Sequence, residues 1–239
     1  MKRVIAFFLV CIFLGSVVVT SWPRLFLPSL DFIFDSAKIS RDVGVQQLQS
    51  AVVRLTVLAR PEEPGVTHPV VQRRGTGFNV EPTGVIITNH HVVRNAVRIV
   101  VTFPDGTVCK VRDWSGKPEL DLAVLELENV PQSLPSIRLG DSDRVGIGDR
   151  ILVIGNPLGL ENIAISGTVS RILDYSDDGI PVLGLAAPIH PGNSGSPVVD
   201  RSGGAVGVVF AGIQAGDEPQ GLALPINSVR DYLAEIAIQ

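Results

Sequence analysis

Cysteine is nearly absent from this 239-residue chain, which holds only Cys11 and Cys109. Cys11 lies in an apolar N-terminal stretch and Cys109 stands alone in the remainder, so no disulfide framework supports the fold and core packing must. Aromatics are scarce as well, at 5%, against 24 glycines and 17 prolines. That balance suits many short strands joined by turns and argues against a helical bundle. No long basic run occurs and the formal net charge is −4, so the electrostatic footprint of a nucleic-acid-binding protein is missing. What the chain does have is apolar content: 45% of its residues are hydrophobic, enough to bury one large domain or two small ones.

The N-terminus concentrates that apolar content. Lys2-Arg3 precedes a 17-residue, uncharged and mostly apolar run over residues 4–20. Such a run is long for the core of a signal peptide and just long enough to span a bilayer. No small-x-small cleavage site follows, and Trp22 sits where an interfacial aromatic would. Phe8-Leu9-Val10 ahead of Cys11 lacks the small residue expected before a lipidated cysteine. Residues 1–22 therefore read as a membrane anchor, or as a signal peptide, with the positive cap inside and the rest of the chain outside. Pro23 and Pro28 then break any continuing helix, and 23–45 reads as a linker carrying irregularly spaced Phe26, Phe32 and Phe34.

From Gln46 onward the signals are those of strands. Residues 51–58 are a β-branched run, and 75–80 with 84–88 form a hairpin pair around Glu81-Pro82-Thr83. Residues 97–103 and 107–111 flank the turn Pro104-Asp105-Gly106, and 121–127 completes a first unit. A Pro-, Ser- and Asp-rich crossover over 131–144 leads to a second unit with strand signals at 150–154, 163–173, 182–186, 195–199, 205–210 and 221–224. The reading is all-β, a barrel or a sandwich. Residues 226–237 close the chain as a helix: Ser228 and Asp231 have capping-box spacing, and Ile226, Val229, Leu233 and Ile236 recur on one face.

Chemistry concentrates in Pro191-Gly192-Asn193-Ser194-Gly195-Ser196-Pro197. A serine between glycines can sit on a tight turn with its hydroxyl exposed, and the same glycines let backbone N–H groups converge on a developing oxyanion. A serine hydroxyl needs a histidine base and a carboxylate that orients it. Only four histidines are available: His68, the pair His90-His91 that closes an apolar run, and His190. Asp121 heads a strand-like run, while Asp105 lies in a turn and Asp113 lacks alternating apolar residues after it.

Six words in order carry a resemblance: Gly75-Thr76-Gly77-Phe78, Thr88-Asn89-His90-His91-Val92-Val93, Asp121-Leu122-Ala123-Val124-Leu125, Gly155-Asn156-Pro157-Leu158-Gly159, Ser166-Gly167-Thr168-Val169-Ser170 and Gly192-Asn193-Ser194-Gly195. From about Ser50 to its end the chain resembles the trypsin-like serine proteases, in particular their HtrA/Deg branch. The resemblance implies two six-stranded antiparallel β-barrels, over about 46–130 and 145–225 within a protease domain at 46–239. It implies a triad of His91, rather than His90, with Asp121 and Ser194, and an oxyanion turn of Gly192, Asn193 and Ser194. The substrate pocket would be formed by Ile189, His190, Val208, Val209, Phe210, Ala211 and Gly212; with no acidic floor, it should take small or medium aliphatic side chains. Extended substrate would add as a strand along 208–212.

Neither a metal nor a cofactor is expected. The implied partners are unfolded polypeptides, a membrane through the N-terminal segment and, through Phe26, Phe32 and Phe34, a homotrimer. The implied setting is extracytoplasmic protein quality control. A catalytically silent double barrel that binds unfolded chains is the alternative. Most relatives in that branch continue into a PDZ domain, and this sequence is expected to lack one. Residues 174–181 match the loop that switches the oxyanion turn in the family, and Ser196 stands where the family usually has glycine.

Overall fold

β-branched residues favour extended backbone, and the run after Ala51 is extended. In the computed structural model, which describes residues 31–61, 70–130, 133–174, 181–215 and 218–237, β1 (Val52–Ala59) pairs antiparallel with β2 (Val71–Glu81) and with β4 (Ala96–Thr102). β3 (Val85–Thr88), β5 (Val108–Lys117) and β6 (Leu122–Leu127) complete a closed barrel in the order β1-β2-β3-β6-β5-β4. The second barrel holds β7 (Arg150–Gly155), β8 (Ile163–Asp174), β9 (Pro181–Ala186), β10 (Pro197–Val199), β11 (Ala205–Ala215) and β12 (Glu218–Pro225). It closes in the order β10-β11-β12-β9-β8-β7. The fold is thus all-β, two six-stranded antiparallel barrels with a terminal helix. Closure leaves neither sheet with a continuous free edge, though the strands overhang unequally.

Period-two burial builds the cores. Along β1, Val53, Leu55 and Val57 are fully buried inside the first barrel with Ile99, Val101 and Leu125. A second cluster joins both barrels: Val52, Phe78 and Leu122 from the first, Ile154, Val208 and Leu224 from the second. The helix α4 (Ile226–Ala237) seals this cluster with Ile226, Val229 and Tyr232. Each such fully buried aliphatic side chain stabilises by about 1.5–3 kcal/mol. The helix begins at Ile226 as expected, so Ser228 lies inside it and is not its cap. Asn227 ties that end to the crossover instead: its N–H reaches the Ser142 hydroxyl at 3.2 Å and its side chain donates to Asp141 at 3.1 Å.

Residues 133–144 run between the barrels rather than away from them. Leu134 and Ile137 donate their N–H groups to the Pro82 and Asn79 carbonyls, and Gly140 donates to Ala205. Ahead of the first strand lie two short helices, α1 (Asp31–Ile39) and α2 (Val43–Ser50), where linker and strand onset were expected. Asp42 is the reason for α2: its carboxylate accepts the Gly44 and Val45 N–H groups at 2.7 and 3.4 Å, an N-cap that outweighs the weak strand pattern after it. Gln49 and Ser36 tie these helices to the second barrel through Asn162 and Ala164.

The chain divides into two compact units at Phe32/Ile33, and both barrels lie in the second. The expected anchor at 1–22, with Phe26, lies outside the described residues; so do His68 and most of the loop expected at 174–181. Among the described residues no helix is long and apolar enough to cross a membrane.

Candidate active site

The site begins where β3 gives way to a helical turn. Thr88 ends the strand, Asn89 stays extended (φ −86°, ψ 148°), and α3 (His90–Val93) follows as a single turn. This turn faces Asp121. Asp121 does not head the strand as its sequence position implies. It follows a 3-10 turn, Pro118–Leu120, and adopts a left-handed conformation with φ 48° and ψ 41°. Aspartate is among the few side chains that tolerate that region.

The inversion at Asp121 aims both of its polar ends at the histidine turn. Its carbonyl accepts from His90 N–H at 3.1 Å and from Asn89 Nδ2 at 3.0 Å. Its carboxylate accepts the His91 N–H at 2.8 Å through Oδ1 and lies 2.6 Å from His91 Nδ1 through Oδ2. A carboxylate can only accept in this pairing, so Nδ1 carries a hydrogen, which in the neutral ring leaves the lone pair on Nε2. His91 retains 38% of its side-chain exposure, so a ligand can reach that nitrogen. His90 faces elsewhere, packed against Gly116 and with its ring centroid 6.1 Å from that of Trp114.

Ser194 enters from the second barrel on a turn with two left-handed glycines, Gly192 (φ 102°) and Gly195 (φ 84°). Both are required: a Cβ on Gly192 would strike the Asn156 carbonyl, and one on Gly195 would strike the Thr76 carbonyl and the Thr88 hydroxyl. The turn is clamped on every side. Ser194 O accepts the Thr76 N–H at 2.9 Å, and Gly195 N–H reaches Val209 O at 2.8 Å. The Thr76 hydroxyl donates to Gly192 O at 2.7 Å and accepts the Asn156 N–H at 3.0 Å. Thr88, two residues before the histidine pair, donates its own hydroxyl to Thr76 O at 2.7 Å. β2 and the end of β3 therefore link the serine turn to the histidine turn.

Three N–H groups lie in the expected oxyanion turn. That of Asn193 is committed to His190 O at 3.0 Å, whereas those of Gly192 and Ser194 enter no backbone hydrogen bond among the described residues. The donors available to an incoming oxygen are thus these two, with Asn193 shaping the turn. The Asn193 side chain is fully buried beside Gly155, and neither of its polar atoms is hydrogen-bonded among the described residues. Ser196 is not left-handed, so it carries no backbone strain in the glycine's place. Its hydroxyl, however, is fully buried against Gly155 with no hydrogen-bond partner among the described residues.

The expected pocket residues divide into two groups. Val208 and Val209 are fully buried; Val208 packs in the inter-barrel cluster, and Val209 spends its backbone on Gly195 and Ser196. The accessible part of β11 begins at Phe210 and Ala211, which are half-buried, and continues at exposed Gly212. β10 pairs with β11 only up to Val208, so β10 does not cover Ala211 and Gly212. Ile189 lies across Gly212 and Gly221 and fills the space between them. His190 is half-buried, and desolvation lowers its pKa from the usual 6.5. Thr76, Thr88, Asn89 and Asn156 lie inside the quoted words, but nothing local in the sequence assigns them these bonds.

Comparison with known proteins places this arrangement. The family model of the trypsin-like peptidase domain matches residues 75–208, a span that includes His91, Asp121 and Ser194. The chain belongs to the trypsin-like peptidase family. Within that family it is HtrA-like. It is 35% identical over 176 residues to a protein named putative serine protease HhoB of Synechocystis, covering 71% of this chain and 42% of that protein. It is 36% identical over 163 residues to a probable periplasmic serine endoprotease, DegP-like, of Chlamydia trachomatis, covering 65% of this chain and 32% of the other. The chain therefore spans less than half the length of these two relatives. The solved structure of the HtrA-type protease AlgW with a tripeptide superposes with a TM-score of 0.67 at 29% identity, over 81% of this chain and 62% of that one. AlgW with a decapeptide gives 0.68 at 26% identity, over 82% and 67%.

Proposed function

We propose that this trypsin-like peptidase is a serine endopeptidase acting on unfolded polypeptide outside the cytoplasm, with His91, Asp121 and Ser194 as its catalytic residues. The observation that carries the reading is the double hydrogen bond from His91 to Asp121, together with a serine turn that Thr76 and Thr88 tie to the end of β3 and whose Gly192 and Ser194 N–H groups enter no backbone hydrogen bond among the described residues.

In this reading the Ser194 oxygen attacks the scissile carbonyl carbon while His91 Nε2 takes its proton. The tetrahedral oxyanion is held by the Gly192 and Ser194 N–H groups, each such donor worth about 3 kcal/mol. Asp121 fixes the ring and its tautomer and stabilises the imidazolium without taking the proton. The C–N bond then breaks as His91 protonates the leaving amine, and an acyl ester remains on Ser194. Water repeats the sequence with His91 again as base, releasing the acid and restoring the hydroxyl.

Substrate would lie along β11 from Phe210 to Gly212, paired through main-chain hydrogen bonds, a mode that tolerates varied sequence. With Ile189 filling the space between Gly212 and Gly221, the subsite would accept only small or medium aliphatic side chains. The peptide-bound AlgW structures support a polypeptide ligand, and the periplasmic name of the Chlamydia relative supports an extracytoplasmic setting. We take the peptidase unit to be residues 46–239, with 23–45 as a linker and residues 1–22 as an anchor or leader. Casein hydrolysis by the full chain tests the reading: Ser194→Ala should fold normally and cleave nothing, and cleavage that survives this change refutes it.

A further inference from the structure

β1 and β2 carry a feature that peptide-bond cleavage alone does not require. In their register Arg54 pairs with Thr76 and Thr56 with Arg74, so these four side chains share one face of the sheet. Thr76 on that face bonds to Gly192 of the serine turn, so the face looks toward the serine. Arg54, Thr56 and Arg74, together with Leu158, Pro191 and Gly192, line a cleft of about 550 Å³. No residue of β11 and no carboxylate lines it. It shares Pro191 and Gly192 with the serine turn and is otherwise lined from β1, β2 and the loop at Leu158, whereas the acyl half of a substrate would lie on β11. The half beyond the scissile bond would enter it.

The cleft is cationic with one apolar wall. Arg74 is exposed and makes no ion pair among the described residues. Arg54 pairs with Glu161, whose carboxylate is itself 57% exposed and therefore displaceable. Leu158 forms the wall, 47% exposed and left-handed with φ 55°. A leucine rarely adopts that conformation, and its N–H bond to Pro191 O at 2.8 Å holds it beside the serine turn. An exposed, strained leucine lining one cleft with two guanidinium groups is arranged to cover the aliphatic stem of a side chain whose end is an anion.

We infer that this cleft selects substrates carrying aspartate or glutamate within the first three residues after the cleaved bond, with Arg74 and Arg54 as the specificity-determining residues. The inference rests on the peptidase reading given above. It concerns the leaving half of the substrate, where the aliphatic preference of the acyl half has no bearing.

Internally quenched peptides with valine at the cleaved position, and glutamate, glutamine or lysine at the second and third positions after it, test the assignment. At low salt kcat/KM should rank glutamate over glutamine over lysine, with about a three- to tenfold step from glutamine to glutamate, falling toward unity at 0.5 M NaCl. Arg74→Glu should reverse the order, Arg74→Lys should keep it, and Glu161→Gln, by freeing Arg54, should widen the step. Peptides cleaved without regard to these positions, or an order unchanged in Arg74→Glu, overturn the assignment and leave the peptidase reading intact. A chain that cleaves none of the peptides and takes no covalent label on Ser194 overturns both.

Discussion

Thr76 is where the two barrels meet chemically, and removing its hydroxyl should cost more than its size implies. Thr76 is fully buried. Its Oγ1 accepts the Asn156 N–H at 3.0 Å and donates to Gly192 O at 2.7 Å. Thr76→Val keeps the shape and deletes both bonds, along with a third, longer one from Asn156 Nδ2 at 3.3 Å. The Asn156 N–H then has no partner in a nearly dry site, at a cost of about 1–3 kcal/mol for such a group. Gly192 is half-buried, so water can replace part of its loss. The total should come to about 2–3 kcal/mol of unfolding free energy. The larger effect should fall on function. Without its anchor the turn holding the Gly192 and Ser194 N–H groups relaxes, and losing one such donor costs about 10²–10³ in rate. The assays are the urea-unfolding midpoint and the second-order rate of Ser194 phosphonylation by a fluorophosphonate. Thr76→Ser should restore most of both. A Thr76→Val protein that unfolds at the parental midpoint and is labelled at the parental rate would show that the clamp plays no part.

Three further outcomes follow from the geometry. Asp121→Asn keeps an acceptor for the His91 N–H but can present an amide to Nδ1, and kcat on a peptide substrate should fall about 10³–10⁴-fold at neutral pH. Ser196→Ala removes a buried hydroxyl with no partner and should stabilise by about 1 kcal/mol, raising Tm by about 2–4 °C in a thermal melt. Desolvation lowers the pKa of His190 in the folded chain from 6.5, so below that pH the unfolded chain takes up the proton first. Its contribution to stability is therefore complete above pH 6.5 and is lost as pH falls through the lower folded value. The Tm difference between pH 7.5 and pH 5 should be smaller in His190→Gln than in the parent.

The sequence carried the fold class and most strand positions, because alternating burial and turn residues act locally: the Pro104-Asp105-Gly106 turn lies between β4 and β5 as expected. It also carried the grouping of His91 with Asp121, though only through a family resemblance. What it could not carry is long-range. Thr76 and Gly192 are 116 positions apart, and nothing local indicates that one hydroxyl will clamp the other's carbonyl. The left-handed Asp121 was hidden because strand propensity in the residues after it made it look like the strand's first member. α2 was missed because one capping carboxylate, Asp42, decided the conformation of a run with no strong periodicity. Val208 and Val209 show the converse limit: an apolar stretch beside a cleft contributes its exposed residues to the pocket and its buried ones to the core.

The most direct test of the account is the reaction of the folded chain with a fluorophosphonate, read by mass spectrometry of the digested protein. The account predicts one adduct, on the Ser194 oxygen, formed rapidly in the parent and nearly abolished in His91→Ala. Folded protein without an adduct on Ser194, or with one that forms equally fast when His91 is gone, would contradict it.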